Sequence, residues 1–129
     1  MSEQAAPLVL IVEDEPLVRW SLVTRLRNDG YRVEGVDSGE EALTYCDAHE
    51  VDLIVLDVNL TTMTGLEVLE RLREKGRGNL PAIVVTAFQD EALVRSCDGL
   101  GVFAIMDKPF SLEDFSAAVA RAIDSRARG

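Results

Sequence analysis

The chain has 129 residues, 47% apolar and 28% charged, with a formal net charge of −10. That length suits one domain able to bury about two thirds of its unfolded surface, and the acidic balance argues against binding nucleic acid or an anionic membrane through bulk electrostatics. No apolar run approaches the ~20 residues of a bilayer span, and MSEQAAP lacks the basic stretch and apolar core of a secretory signal. Cys46 and Cys97 stand outside any CxxC or Cys/His spacing. Small buried hydrophobes in a reducing, cytoplasmic setting are therefore the expectation.

Residues 1–7 read as a loose N-terminal tail. LVLIV (8–12) follows, a continuous apolar run of the kind found in strands covered on both faces. Pro16 sits where a first-turn proline is tolerated, and Val18, Leu22 and Leu26 recur before a stop at Gly30, which predicts a helix. YRVEGV (31–36) is more polar and carries a glycine, as suits an edge strand. Ser38-Gly-Glu-Glu41 is a capping box ahead of a second helix, near whose end His49 reads as a surface residue.

LIVL (53–56) is a third strand buried on both faces. Thr64-Gly-Leu-Glu67 is another capping box, followed by Leu66, Leu69 and Leu72 on one helix face. AIVV (82–85) comes next, then Asp90 as the cap of a helix with Leu93, Val94 and Cys97 facing inward. VFAIM (102–106) reads as the last strand, again covered on both faces. Ser111 caps a final helix with Phe115, Ala118, Val119, Ala122 and Ile123 on its inner face, and SRARG ends the chain as a loose, solvated end. Five strand–helix pairs with right-handed crossovers predict one domain over residues 8–127. It is a three-layer α/β sandwich, a flavodoxin-like (βα)5 fold whose five-stranded parallel sheet runs in the order 2-1-3-4-5.

Ligands of an open parallel sheet bind beyond the carboxyl ends of its strands. The residues there are Glu13, Asp14 and Glu15 after the first strand, Asp57 and Asn59 after the third, Thr86 after the fourth, and Asp107, Lys108 and Pro109 after the fifth. Two carboxylates ~4 Å apart repel by about 4 kcal/mol at an effective dielectric of ~20. Glu13, Asp14 and Asp57 at one rim therefore destabilise one another's charge or demand a cation. Lys108 brings one positive charge. A hard divalent cation with oxygen ligands, Mg2+ or in its place Mn2+, is the natural remainder. Thr86 and Lys108 then read as donors to phosphoryl oxygens, and Asp57 as the nucleophile of aspartyl-phosphate chemistry. Singly, each feature has an ordinary structural role: acids complementing a helix dipole, a buried cap, a loop hydroxyl, a surface turn. Their convergence at the same end of four strands is what points to chemistry.

LIVEDEP (10–16), DLIVLDVNLTTMTGLEVL (52–69), PAIVVTAF (81–88) and DKPFS (107–111), in this order and spacing, resemble the receiver (phosphoacceptor) domain of two-component response regulators. The resemblance implies that Asp57 takes a phosphoryl group from a phosphohistidine of a sensor kinase or phosphotransfer protein. It implies that Asp14 and Asp57 ligate Mg2+ with the backbone carbonyl of Asn59, and that Glu13 acts largely through water. It makes Thr86 and Lys108 the switch hydroxyl and lysine, and the Lys108–Pro109 peptide cis. The activity it implies is self-phosphorylation and slow self-dephosphorylation, not that of a conventional enzyme. Phosphorylation would alter a surface formed by the fourth helix, fifth strand and fifth helix, spanning 88–100 and 102–121. That surface would meet an output partner or a second copy of the chain.

Three positions depart from the family pattern. Thr61 stands where proline is frequent, which predicts a looser loop after Asp57. Ile105 stands where an aromatic ring usually changes rotamer with the threonine. Phe103, two residues earlier on the same strand face, is the other ring available, with an ordinary packed or surface role as its plainer reading. Phe88 is apolar where many relatives are polar, which predicts a shield between the acyl phosphate and water. A Rossmann-type nucleotide site fails because EDEP occupies the place of a Gly-rich loop. A haloacid-dehalogenase-type phosphatase usually has a second acid where Asn59 stands, and the chain lacks room for a cap. A stand-alone regulator, a receiver excised from a longer transcription factor or hybrid histidine kinase, and a module that binds without phosphorylation all remain open at this stage.

Overall fold

The structure, a computed structural model, describes residues 5–128; the first four residues of the expected tail and Gly129 lie outside them. Strands β1 (Leu8–Val12), β2 (Arg32–Val36), β3 (Leu53–Asp57), β4 (Ala82–Thr86) and β5 (Ala104–Asp107) alternate with helices α1 (Pro16–Asn28), α2 (Gly39–Ala48), α3 (Gly65–Glu74), α4 (Glu91–Gly99) and α5 (Leu112–Arg128). All pairings are parallel, in the order β2-β1-β3-β4-β5. The flavodoxin-like arrangement expected from the alternation is the one formed.

Strand side chains alternate between two cores. Val9, Ile11, Leu53, Val55, Ile83 and Val85 pack with α1 and α5. Leu8, Leu10, Val12, Ile54, Leu56 and Ala82 pack with α2 and α3. Cover on both faces is why these strands read as unbroken apolar runs. On α5, Phe115, Ala118, Val119 and Ala122 are buried as the spacing predicts; withdrawing a side chain the size of Phe115 from water contributes about 2 to 3 kcal/mol. No described helix is long and apolar enough to cross a membrane.

Local signals follow the sequence reading at α3 and depart from it elsewhere, including the chain's far end, where α5 continues to Arg128 in place of a loose SRARG. At α3 the box is complete, with Thr64 and Glu67 exchanging both bonds. At α2 it is half made: Ser38 Oγ accepts from Glu41 N–H, but the Glu41 carboxylate accepts from Asp37 N–H instead. On α4, Cys97 is buried but Val94 is exposed, because this nine-residue helix sends one side chain fully into the interior. β5 starts only at Ala104, and its apolar residues are half-buried, because no strand covers its outer side. Phe103 therefore precedes the strand, 39% exposed, with its N–H donating to Ala82 O at 2.8 Å. At the start of the chain, the carbonyls of Ala6 and Pro7 accept bonds from Arg32.

Candidate functional site

Parallel register brings the carboxyl ends of the inner strands level. Val12 lies opposite Leu56, Asp57 opposite Val85, and Thr86 opposite Asp107. The next residue after β1, Glu13, extends the ladder by donating its N–H to Val36 O at 3.0 Å. Its side chain and that of Asp57 are buried, and Asp14 is half-buried beside them. One carboxylate oxygen from each of Glu13, Asp14 and Asp57 lies within 4.8 Å of the others. The rim expected to gather these acids does gather them.

Lys108 reaches into this group from the end of β5. Its Nζ donates to Asp57 Oδ2 at 2.6 Å and stands 3.5 Å from Glu13 Oε1. Burial alone would lower the Lys108 pKa, but the Asp57 hydrogen bond and the charges of Asp57 and Glu13 outweigh it and hold the ammonium above its usual range. Burial pushes Glu13 up to about 7; the Glu15 N–H bond at 3.1 Å pulls it down, and the negative charge of Asp57 adds to the rise. Burial is the main reason Glu13 is forced toward its neutral form; the surplus of negative charge follows from the count, three converging carboxylates against the one ammonium of Lys108. Three convergent carboxylates with that surplus fit a hard, oxygen-seeking divalent cation.

Asp57 is fixed from two further directions. Asn59 N–H donates to its Oδ1 at 2.9 Å. Its backbone is braced by the start of α3, where a Cβ added to Gly65 would stand 2.4 Å from Asp57 O, so only a hydrogen fits there. The sequence reading passed over Gly65, although a glycine placed just inside a capping box, at the first helical position, is the visible trace of such a close approach. Arg19 was also missed: its guanidinium donates to Glu13 O at 2.8 Å.

The Thr86 hydroxyl lies at the rim but is occupied, donating to Phe88 O at 2.9 Å and accepting from Phe88 N–H at 3.1 Å. Lys108 N–H donates to Thr86 O at 2.8 Å, and the Lys108–Pro109 peptide is cis. Ile105 is half-buried within β5 opposite Val84. Phe88 is 74% exposed, so in this conformation it forms no shield over Asp57. The loop after β3 is likewise not loose at its threonines. Thr61 donates to Asp14 Oδ2 at 2.9 Å, and Thr62 donates to the Glu40 carboxylate at 2.8 and 3.0 Å.

A (βα)5 sandwich with acids and a lysine at its carboxyl rim has the build of a CheY-like receiver. The chain belongs to the response regulator receiver domain family of two-component systems, whose model matches residues 9–120. It is 34% identical over 116 residues to the transcriptional regulatory protein PdtaR of Mycobacterium tuberculosis (strain ATCC 25618 / H37Rv), across 89% of this chain and 56% of that protein. It is 38% identical over 114 residues to the two-component response regulator PhoP of Pseudomonas aeruginosa, across 84% of this chain and 48% of that one. The chain thus spans about half the length of these curated relatives. Among solved structures, a CheY-like response regulator receiver domain protein of Methanospirillum hungatei JF-1 superposes with a TM-score of 0.90 at 25% identity, over 96% of this chain and 98% of that one. TrrA of Thermotoga maritima, solved in complex with Mg2+-BeF, gives 0.80 at 28% identity, over 90% and 98%.

Proposed function

We propose that this receiver domain takes a phosphoryl group on Asp57 from a phosphohistidine of a sensor kinase or phosphotransfer protein. The observation that carries this reading is the state of Asp57: buried, held at one oxygen by Lys108 and at the other by Asn59 N–H, beside two further acids. A nucleophile fixed this way needs little reorganisation, and phosphoryl transfer depends mainly on positioning and charge neutralisation. An Asp57 oxygen attacks phosphorus as the phosphorus–nitrogen bond breaks, and the bonding pair returns to the imidazole nitrogen, which takes up a proton from water. The Lys108 ammonium offsets the incoming negative charge. Glu13, Asp14 and Asp57, with the Asn59 carbonyl, would hold Mg2+ or Mn2+, which when bound supplies positive charge against the phosphoryl oxygens. The Mg2+-BeF complex of TrrA supports this reading, since beryllium fluoride has the tetrahedral shape and charge of a phosphoryl group.

Thr86 completes the site only by releasing Phe88, so its engagement moves the loop between β4 and α4. The readout surface is then α4, β5 and α5, where Val94 on α4, with Phe88 and Phe103 in the segments leading into α4 and β5, is exposed for an output partner or a second copy of the chain. The histidine-bearing partner meets the rim between α1 and the start of α5. There an open hollow of about 540 Å³, lined by Val18, Leu22, Pro109, Phe110 and Leu112, shares Lys108 with the rim. Slow hydrolysis of the acyl phosphate resets the domain. Incubation with a small acyl-phosphate donor and Mg2+ should add the mass of one phosphate, and Asp57→Asn should abolish the gain. No gain in the wild type, or an equal gain in Asp57→Asn, overturns the reading.

A further inference from the structure

We infer that Thr61 is a positioning residue for the divalent cation, its hydroxyl holding the Asp14 carboxylate toward the other two acids. The inference rests on the cation site proposed above. The three carboxylates are not held alike. Asp57 has Lys108 and Asn59 N–H; Glu13 has Glu15 N–H and the more distant Lys108. Asp14 receives neither the lysine nor a backbone donor. Its carboxylate accepts one bond among the described residues, from Thr61 Oγ1 at 2.9 Å, across 47 positions of sequence. Asp14 is also the least buried of the three and so the freest to swing into water, away from the repulsion of its two neighbours.

The hydroxyl opposes that escape and leaves the other Asp14 oxygen for a ligand. It is itself located from behind. Thr62, the next residue, is anchored to both oxygens of Glu40 in the first turn of α2, and Gly65 N–H closes the loop on Val58 O at 3.0 Å. A carboxylate oriented by such a partner binds metal better than one that must be ordered on binding. A proline at position 61 has no hydroxyl to offer, so the Asp14–Thr61 bond belongs to sequences with a hydroxyl there.

The test titrates Mg2+ into the full chain by calorimetry and records metal-free melting, for wild type, Thr61→Val, Thr61→Ser and Asp14→Ala. Thr61→Val should bind Mg2+ about tenfold more weakly, the lower end of what an orienting partner contributes. Thr61→Ser should stay within about threefold of wild type, a residual smaller than one lost orienting bond. Metal-free melting should not change in either, because Thr61 is exposed. Wild-type affinity in Thr61→Val overturns the proposal. So does a Thr61→Ser variant as weak as Thr61→Val, which would assign the effect to the shape of threonine. A metal-free melting loss in Thr61→Val that tracks the affinity loss also overturns it, in favour of loop packing. A wild type that binds no Mg2+, or an Asp14→Ala variant that binds as tightly, instead overturns the cation site itself.

Discussion

The two ends of this sheet solve opposite problems with charge. At the amino end, arginines are spent on neutral backbone. Arg73 donates to the carbonyls of Leu100, Arg77 and Leu80 at 2.9, 2.6 and 2.8 Å, stapling the entries of β4 and β5 to the end of α3. Arg77 donates to Cys46 O, and Arg126 to Val51 O just before β3. Asp52 accepts from Leu8 N–H and pairs with Arg126. At the carboxyl end, three carboxylates face one lysine, and a buried glutamate is driven toward neutrality. One rim spends its cations on backbone carbonyls and on Asp52. The other keeps an electrostatic deficit that a cation or a phosphoryl group changes. A parallel sheet makes this division available because every strand enters at one end and exits at the other.

If the amino rim is purely structural, damaging it should cost stability and spare the site. Arg73→Met takes the side-chain donor from the carbonyls of Leu100 and Leu80 and leaves that of Arg77 with only Leu80 N–H. It should lower stability by about 2 to 3 kcal/mol and Tm by roughly 10 °C, the largest effect expected here. Mg2+ affinity, measured calorimetrically below the lowered Tm, should stay within twofold of wild type. A drop in affinity as large as the loss of stability would show that the two rims are not independent.

The same division explains what could be read in advance. β1, β3 and β4 are legible because cover on both faces leaves no polar positions, and the acids at their ends stand out against that background. β5 is legible only in part, since a strand at the sheet's edge carries a weaker apolar signal and its start blurs into Val102 and Phe103. The site's principal groups, Asp57, Glu13, Asp14, Thr86 and Lys108, were visible as the residues following those runs. The bonds that tune them were not. Thr61 with Asp14, and Gln89 with Asp107, are polar pairs joined across loops. Polar loop residues have no periodicity that betrays a partner distant in sequence.

The carboxyl rim's deficit should also show in the pH dependence of the metal-free protein. Glu13 titrates near 7 in the fold against an ordinary 4.5. A raised carboxyl binds its proton more tightly folded than unfolded, so its contribution is complete below about 4.5 and lost as pH climbs through about 7. Metal-free Tm should therefore fall between pH 5 and 8, by no more than the Arg73→Met effect, and Glu13→Gln should flatten the slope. Mg2+ should raise Tm more at pH 8 than at pH 5, because it favours the charged carboxylates. A metal-free Tm that rises over this range, or a slope unchanged in Glu13→Gln, contradicts this account of the rim.

The smallest expected change concerns a second side-chain tie, beside that of Thr86, on the rim's moving part. Gln89 Nε2 donates to Asp107 Oδ1 at 2.9 Å, tying the β4–α4 loop to the end of β5 next to Lys108. On the proposed mechanism this loop shifts when Thr86 exchanges Phe88 for a phosphoryl oxygen, and Ile105 gives β5 no ring to follow it. Both partners are exposed, so Gln89→Ala should alter stability by no more than about 0.5 kcal/mol. That same half kilocalorie, removed from the state in which Thr86 is occupied and not from the shifted one, would speed Asp57 phosphorylation by a small donor about twofold. Amide exchange at Phe88, Gln89 and Asp90 should rise with it, since the loop opens more often. Because the substitution touches neither acid nor lysine, a faster reaction at unchanged Mg2+ affinity would place the effect in the loop. Unchanged exchange and an unchanged rate would mean that the Thr86–Phe88 bonds alone hold it.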